Sequence, residues 1–163
     1  MSAPTFTISR TFNAPRTTVW KVYSEYDHLQ RWWGPAGFTW IKGSLDFRPG
    51  GLFHYGMRAP NGDEMWGKFV YHEINAPERL TFVNSFSDKD AGITRAPFSP
   101  NWPLEVMNTV LFTEKDGKTT LNMTGTPINA TEAETQMFES WKPSMQQGFK
   151  GTLDQLEAYL ATL

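Results

Sequence analysis

From Thr5 to Phe12 the chain alternates, with Phe6, Ile8, Arg10 and Phe12 on one side and Thr5, Thr7, Ser9 and Thr11 on the other. A period of two predicts a strand with one apolar face, interrupted by Arg10. Pro15 then opens a helix at the position where proline is favoured, and Val19, Trp20 and Tyr23 give that helix its apolar face. Asp27 reads as the cap of a second short helix over residues 28–33, ended by Gly34-Pro35. Strands follow over residues 38–47, 52–57, 65–74 and 80–86. They are punctuated by Pro49-Gly50-Gly51, Pro60-Asn61-Gly62-Asp63 and Pro77. Residues 87–103 carry three prolines and no clear period, which predicts a long loop with at most a short helical turn.

The clearest hairpin joins residues 105–113 to 119–126 around Asp116-Gly117. A two-residue turn there pairs Phe112 with Leu121, Val110 with Met123, and Asn108 with Gly125 on one face. The opposite face holds Thr109, Thr113, Thr120, Asn122 and Thr124, so one side is wet and the other faces a core.

After Thr131 the period changes. Thr131 and Glu134 form a capping-box start. Apolar residues then recur in steps of three and four at Phe138, Trp141, Met145, Phe149, Leu153, Leu156, Leu160 and Leu163. On a helix they fill an arc about 120° wide. The first half of that arc is aromatic and Met-rich; the second is Leu. Pro143 lies inside the pattern and leaves the Glu139 carbonyl without its donor, so a kink or break is expected near Trp141 and Lys142. Lys142 falls inside the arc, where a kink would turn it away. Gly148 and Gly151 each cost about 1 kcal/mol against Ala in a helix, and Gly148 sits at the rim of the arc, where close backbone approach is expected. Two readings follow: an ordinary core helix with tolerated glycines, or a helix across an open cavity, its aromatic half facing the space and its Leu half sealing the floor.

The order strand, two helices, six strands, long helix predicts an α+β fold. An antiparallel sheet with its helices on one side is the simplest solution. A sheet of that length curls, and its concave face can wrap the last helix.

Composition narrows the function. A chain of 163 residues predicts one domain, residues 1–163, able to bury a sizeable core. Its net charge is −2 with scattered basic residues, so nucleic acid and acidic membranes are not expected partners. No apolar run approaches the ~18 residues of a membrane span, and residues 1–5 lack the regions of a secretory signal. With cysteine absent, disulfides and thiolate chemistry are excluded. These features lead to the expectation of a cytoplasmic protein without membrane insertion. Seven Trp, twelve Phe, five Tyr and seven Met are many for this length. Aromatics fill cores, and they also line apolar ligand pockets.

The ordered set Asn13-Ala14-Pro15 with Val19-Trp20, Leu29 with Trp32-Trp33-Gly34-Pro35, Pro49-Gly50-Gly51 with Phe53 and Met57, Pro60 with Gly62, Gly67 with Glu73, Pro77-Glu78-Arg79-Leu80, Phe112, and residues 148–160 resembles the activator-of-heat-shock-protein-ATPase-like family. That family lies within the SRPBCC superfamily, which shares the helix-grip fold of START domains and the birch pollen allergen. No single piece is specific; the set in this order is. The resemblance implies a seven-stranded antiparallel sheet, two short helices and a long C-terminal helix over a cavity. It also implies a reusable apolar cup, found in lipid carriers, ligand-binding proteins, polyketide cyclases and co-chaperone domains. It supplies no catalytic motif. Pro143 and the Pro-rich loop at residues 96–103 are departures at the rim or roof of the cup.

Candidate chemistry would lie with the histidines and with polar residues on apolar faces. His28, His54 and His72 show no metal-binding spacing. The Asn61-Gly62 turn puts His54 opposite Lys68 or Phe69, with His72 about four residues further on. No metal and no cofactor are expected. No nucleophile motif or phosphate loop occurs. Asn84 shares parity with Leu80, Phe82 and Phe86, and Asn108 with Val106, Val110 and Phe112. An amide in such company must find partners, either the backbone or water near the 87–103 loop, or a ligand carbonyl or hydroxyl in the cavity. Arg10 is expected to pair with Glu73 or Asp46. Trp141, Met145, Phe82 and Trp102 are placed around the cavity, with Trp32 and Trp33 at its mouth or in plain packing. The expected ligand site is thus Trp32, Trp33, Phe82, Asn84, Trp102, Asn108, Phe138, Trp141 and Met145.

The favoured function is intracellular binding of a small apolar ligand, aromatic or lipid-like, between sheet and C-terminal helix. The second is an enzyme of cyclase, dehydratase or hydrolase type drawing on Asn84, Asn108, His54, Arg10 and Glu73, which needs a titratable group in the cavity. The third, from the resemblance alone, is a stress-response co-chaperone-like interaction domain. A homodimer is compatible with all three.

Overall fold

The computed structural model describes residues 4–163; the reading of residues 1–3 as free of a leader lies outside them. Strand β1 (Phe6–Phe12) leads through α1 (Arg16–Ser24) and α2 (Tyr26–Leu29) into β2 (Thr39–Leu45), β3 (Leu52–Arg58), β4 (Glu64–Asn75) and β5 (Arg79–Phe86). The hairpin β6 (Glu105–Lys115) and β7 (Lys118–Ile128) follows, then α3 (Glu132–Ser140) and α4 (Lys142–Leu160). All strands join one antiparallel sheet in the order β1-β7-β6-β5-β4-β3-β2. The first two strands sit on opposite edges, so α1 and α2 carry the chain across the sheet's inner face. The hairpin register is the expected one: Phe112 faces Leu121, Val110 faces Met123, Asn108 faces Gly125. His54 lies opposite Lys68.

Period-two alternation sends one row of each strand inward. Phe12, Phe53, Phe69, Tyr71, Leu80, Phe82, Val110, Phe112 and Leu121 are almost fully buried in that row. The two short helices fill one half of the concave face. Trp20 packs edge-on against Phe112 with ring centroids 5.1 Å apart, and Tyr23 meets the same ring at 5.3 Å. Leu29 and Trp32 complete this half, and the Trp32 indole N–H donates to the Val22 carbonyl at 3.0 Å.

The helix boundaries shift from expectation for local reasons. Pro15 occupies the cap position of α1 instead of its first turn. Asp27 lies inside α2, whose cap is Glu25. The C-terminal segment is two helices, not one bent one. Trp141, at φ −94° and ψ 2°, separates them, and Pro143 stands in the first turn of α4. Proline there forfeits no hydrogen bond, because the first N–H groups of a helix have no intrahelical acceptor. Lys142 turns to Glu139 at 2.9 Å. Leu163, assigned to the apolar arc, lies past the end of α4 and is exposed.

Arg10 pairs with Asp154 of α4 at 2.7 Å, not with Glu73 or Asp46. β1 lies at the opposite edge of the sheet from β2 and four strands from β4, so neither carboxylate is in reach. They pair locally instead, Glu73 with Arg79 at 3.2 Å and Asp46 with Arg48 at 2.7 Å. A second tie joins the 87–103 loop to α3. Glu134 closes the capping box, accepting from the Thr131 N–H at 2.8 Å while Thr131 Oγ1 accepts from the Glu134 N–H at 3.1 Å. The other carboxylate oxygen of Glu134 takes Arg95 from the loop.

Two outcomes test this account. Leu156 has no exposed surface, so Leu156→Ala is expected to lower unfolding free energy by about 2–5 kcal/mol in urea titration. The Glu134 carboxyl is held below the usual carboxylate range, first by the Thr131 backbone N–H and then by Arg95. Its stabilisation is therefore complete above the ordinary carboxylate pKa and fades as pH falls through the lowered value. Glu134→Gln should destabilise at about pH 7 and cost much less at about pH 3; an equal loss at both would contradict the assignment.

Candidate apolar cavity

The other half of the concave face is not filled. Leu153 and Leu156 of α4 are packed into the core, but the chain N-terminal to them stands off the sheet. Between them lies a cavity of about 420 Å³, within the roughly 300–1,000 Å³ of small-molecule sites. Its floor is the inward row of the sheet beyond the packed aromatics: Phe6, Tyr55, Met57, Met65, Asn84, Phe86, Val106, Asn108 and Gly125. Its roof is Phe138, Trp141, Met145 and Phe149 from α3, the helix break and α4. Phe98, Trp102 and Pro103 of the long loop form one side, and Trp33, Gly34 and Pro35 after α2 form the other. Of the lining residues, Phe98, Ser144 and Gly148 are exposed, and they mark the mouth.

Each wall is held by identifiable contacts. Gly34, at φ +112°, turns the chain under α4 in a conformation that favours glycine. Its carbonyl accepts from Gln155 Nε2 at 2.7 Å and Thr152 Oγ1 at 3.0 Å. Phe6 stacks on Phe149 at 5.5 Å. At the rim Phe98 stacks on Trp141 at 4.7 Å and meets Trp102 edge-on at 5.4 Å. Gly148 makes no close backbone approach: a Cβ there would find nothing within 4 Å. The missing side chain leaves space at the mouth.

Seven of the nine expected residues line the cavity: Trp33, Asn84, Trp102, Asn108, Phe138, Trp141 and Met145. Trp32 and Phe82 do not. Trp32 is buried beneath α1, its ring 4.7 Å from Tyr23, and Phe82 is covered by Phe69 at 4.1 Å. Trp33 is in an inner wall, not at the mouth, with its ring edge-on to Phe69 at 5.0 Å. The asparagines bond the backbone and also border the cavity. Asn84 Nδ2 donates to the Lys68 carbonyl at 3.1 Å, and Asn108 Nδ2 to the Val106 carbonyl at 3.1 Å, while both side chains line the cavity.

Sequence reasoning passed over Tyr55, Phe6, Met57 and Phe98. Tyr55 and Met57 share the inward parity of β3 with Phe53, and Tyr55 faces Gly67 across the ladder; an aromatic opposite glycine was the available signal. Phe98 sits in an irregular loop where no period points to it.

Among the described residues charge is absent from the lining, which holds no Asp, Glu, His, Lys or Arg. Its one titratable group is Tyr55, 6% exposed, whose phenol pKa burial pushes up against a smaller opposing effect of Asn84. His54 lies elsewhere, stacked on Trp66 with Nε2 3.1 Å from the Asp88 carbonyl. Among the described residues no three His, Asp or Glu side chains are grouped to hold a metal ion. No helix of the described residues is long and apolar enough to cross a membrane.

The architecture recurs in solved structures. A crystal structure of a protein from Mycobacterium smegmatis is 28% identical, with a TM-score of 0.76 over 96% of this chain and 90% of that one. A solution structure of a protein from Arthrobacter aurescens is 27% identical, with a TM-score of 0.79 over 99% and 88%. The crystal structure of the AHSA1 protein from Silicibacter pomeroyi, 17% identical with a TM-score of 0.74 over 98% and 99%, shows the likeness of fold alone. Among curated proteins none matches the chain. The family model for Activator of Hsp90 ATPase homolog 1-like proteins matches residues 13–161, and the chain belongs to that family.

Proposed function

We infer that the protein binds a small, largely apolar ligand, aromatic or lipid-like, in the cavity between the sheet and the α3–α4 pair. The observation that carries this reading is a cavity of about 420 Å³ walled by aromatic, Met and Val side chains without a formal charge. An apolar guest there gains roughly 25 cal/mol per Å² of surface removed from water. The rings of Trp33, Trp102, Phe138 and Trp141 border the space such a guest would occupy. Family membership supports the same reading in general terms.

The enzymatic alternative needs a group that exchanges protons near neutral pH. Of its five candidates, Arg10, Glu73 and His54 lie outside the lining, and the two asparagines do not titrate. Tyr55 holds its proton more tightly than an ordinary phenol. The co-chaperone alternative rests on the family's name.

The test is titration with Nile red, a neutral apolar dye. Saturable binding at one dye per chain, with quenching of Trp emission, is expected; a linear, unsaturable rise would remove the proposal. Gly148→Leu should separate binding from folding. It improves helix propensity by up to about 1 kcal/mol and places a side chain in the mouth. The variant should be at least as stable as the parent yet bind the dye roughly tenfold or more weakly, a loss of about 1.4 kcal/mol.

A further inference from the structure

The inner end of the cavity holds a hydrogen-bond donor with no acceptor among the described residues. The Tyr55 ring lies over Gly67, where a Cβ would come 2.6 Å from the phenol oxygen. Glycine at that position is what lets the hydroxyl reach Asn84 on β5. The Lys68 carbonyl can only accept, so the Asn84 group facing it at 3.1 Å is the NH₂. The same NH₂ faces the Tyr55 oxygen at 3.5 Å, which makes that oxygen an acceptor. The Trp33 indole N–H, buried and without a partner among the described residues, borders it as well. With N–H groups on those sides, the phenol's own proton is directed away from both. The hydrogen bonds of the described residues give that O–H no acceptor, and Tyr55 lines the cavity.

We propose that Tyr55 donates a hydrogen bond to a neutral oxygen acceptor on the bound ligand, so that the cavity selects uncharged ketone- or ether-bearing compounds over hydrocarbons of the same shape and over carboxylates. This rests on the carrier reading above. A buried O–H left unpaired costs about 1–3 kcal/mol; a hydrocarbon guest seals that cost in, and a carbonyl removes it. A carboxylate would also satisfy the donor, but it would lie among apolar walls with no cation among the described lining residues, where its desolvation is uncompensated.

Isothermal calorimetry with benzophenone, diphenylmethane and diphenylacetate tests the proposal. In the parent protein benzophenone is expected to bind roughly tenfold more tightly than diphenylmethane, and diphenylacetate more weakly than either. Tyr55→Phe keeps the ring and removes the O–H whose burial cost the hydrocarbon seals in, so it should erase the ketone preference by weakening benzophenone relative to a tightened diphenylmethane. The carbonyl stretch of bound benzophenone, read by infrared difference spectroscopy on the parent, should fall below its value in cyclohexane, and this needs no variant. Equal affinities for ketone and hydrocarbon, a preference that survives Tyr55→Phe, or an unshifted stretch would overturn the donor assignment and leave the carrier reading standing. So would saturable Nile red binding with none of the three compounds bound. If Nile red also fails to saturate, the carrier reading falls and the donor assignment with it.

Discussion

The structure depends on unequal filling of one concave sheet face. A curved seven-stranded sheet presents more inward surface than two short helices can cover. α1 and α2 meet half of it, and the contacts of Trp20 and Tyr23 with Phe112 are as close as those of any core. Close packing of that half holds the sheet's curvature, so the other half cannot flatten or collapse onto α4 without disturbing it. The hollow is thus a consequence of what is packed beside it. The break at Trp141 divides the roof over that half between two helices, α3 giving Phe138 and α4 giving Met145 and Phe149.

Much of this was legible from the pattern of side chains. The two-residue period placed β1 and the last hairpin, turn residues bounded the four strands between, and the Asp116-Gly117 turn set the register that brings Asn108 opposite Gly125. The change of period at Thr131 located the roof, and its division into an aromatic and a Leu half matches the division between cavity lining and core. What the pattern could not carry was the third dimension. Parity puts Phe82 and Asn84 on the same face, but only the position of Phe69 decides that Phe82 is covered. Adjacent tryptophans point in different directions, and Trp32 went into the core while Trp33 reached the cavity. Arg10 found Asp154 because helix and edge strand meet in space, a pairing separated by most of the chain.

Polar groups are few in the cavity and are tied to the backbone of the sheet. Asn84 and Asn108 each spend their NH₂ on a main-chain carbonyl, which fixes their orientation without a charged neighbour. On the proposed carrier reading, the uncharged lining among the described residues leaves specificity to shape and to single hydrogen bonds, where one unpaired group shifts affinity by about an order of magnitude.

The tie between Arg95 and Glu134 has a mechanical meaning. It anchors the loop that bears Phe98 to the helix that bears Phe138, so one side of the cavity is fastened to its roof by a charged clasp with a ring stack beside it. Glu134 is buried, and parting loop from helix would strip a carboxylate of its counter-charge. Separating that wall from the roof thus carries a charge penalty on top of the loss of packed rings.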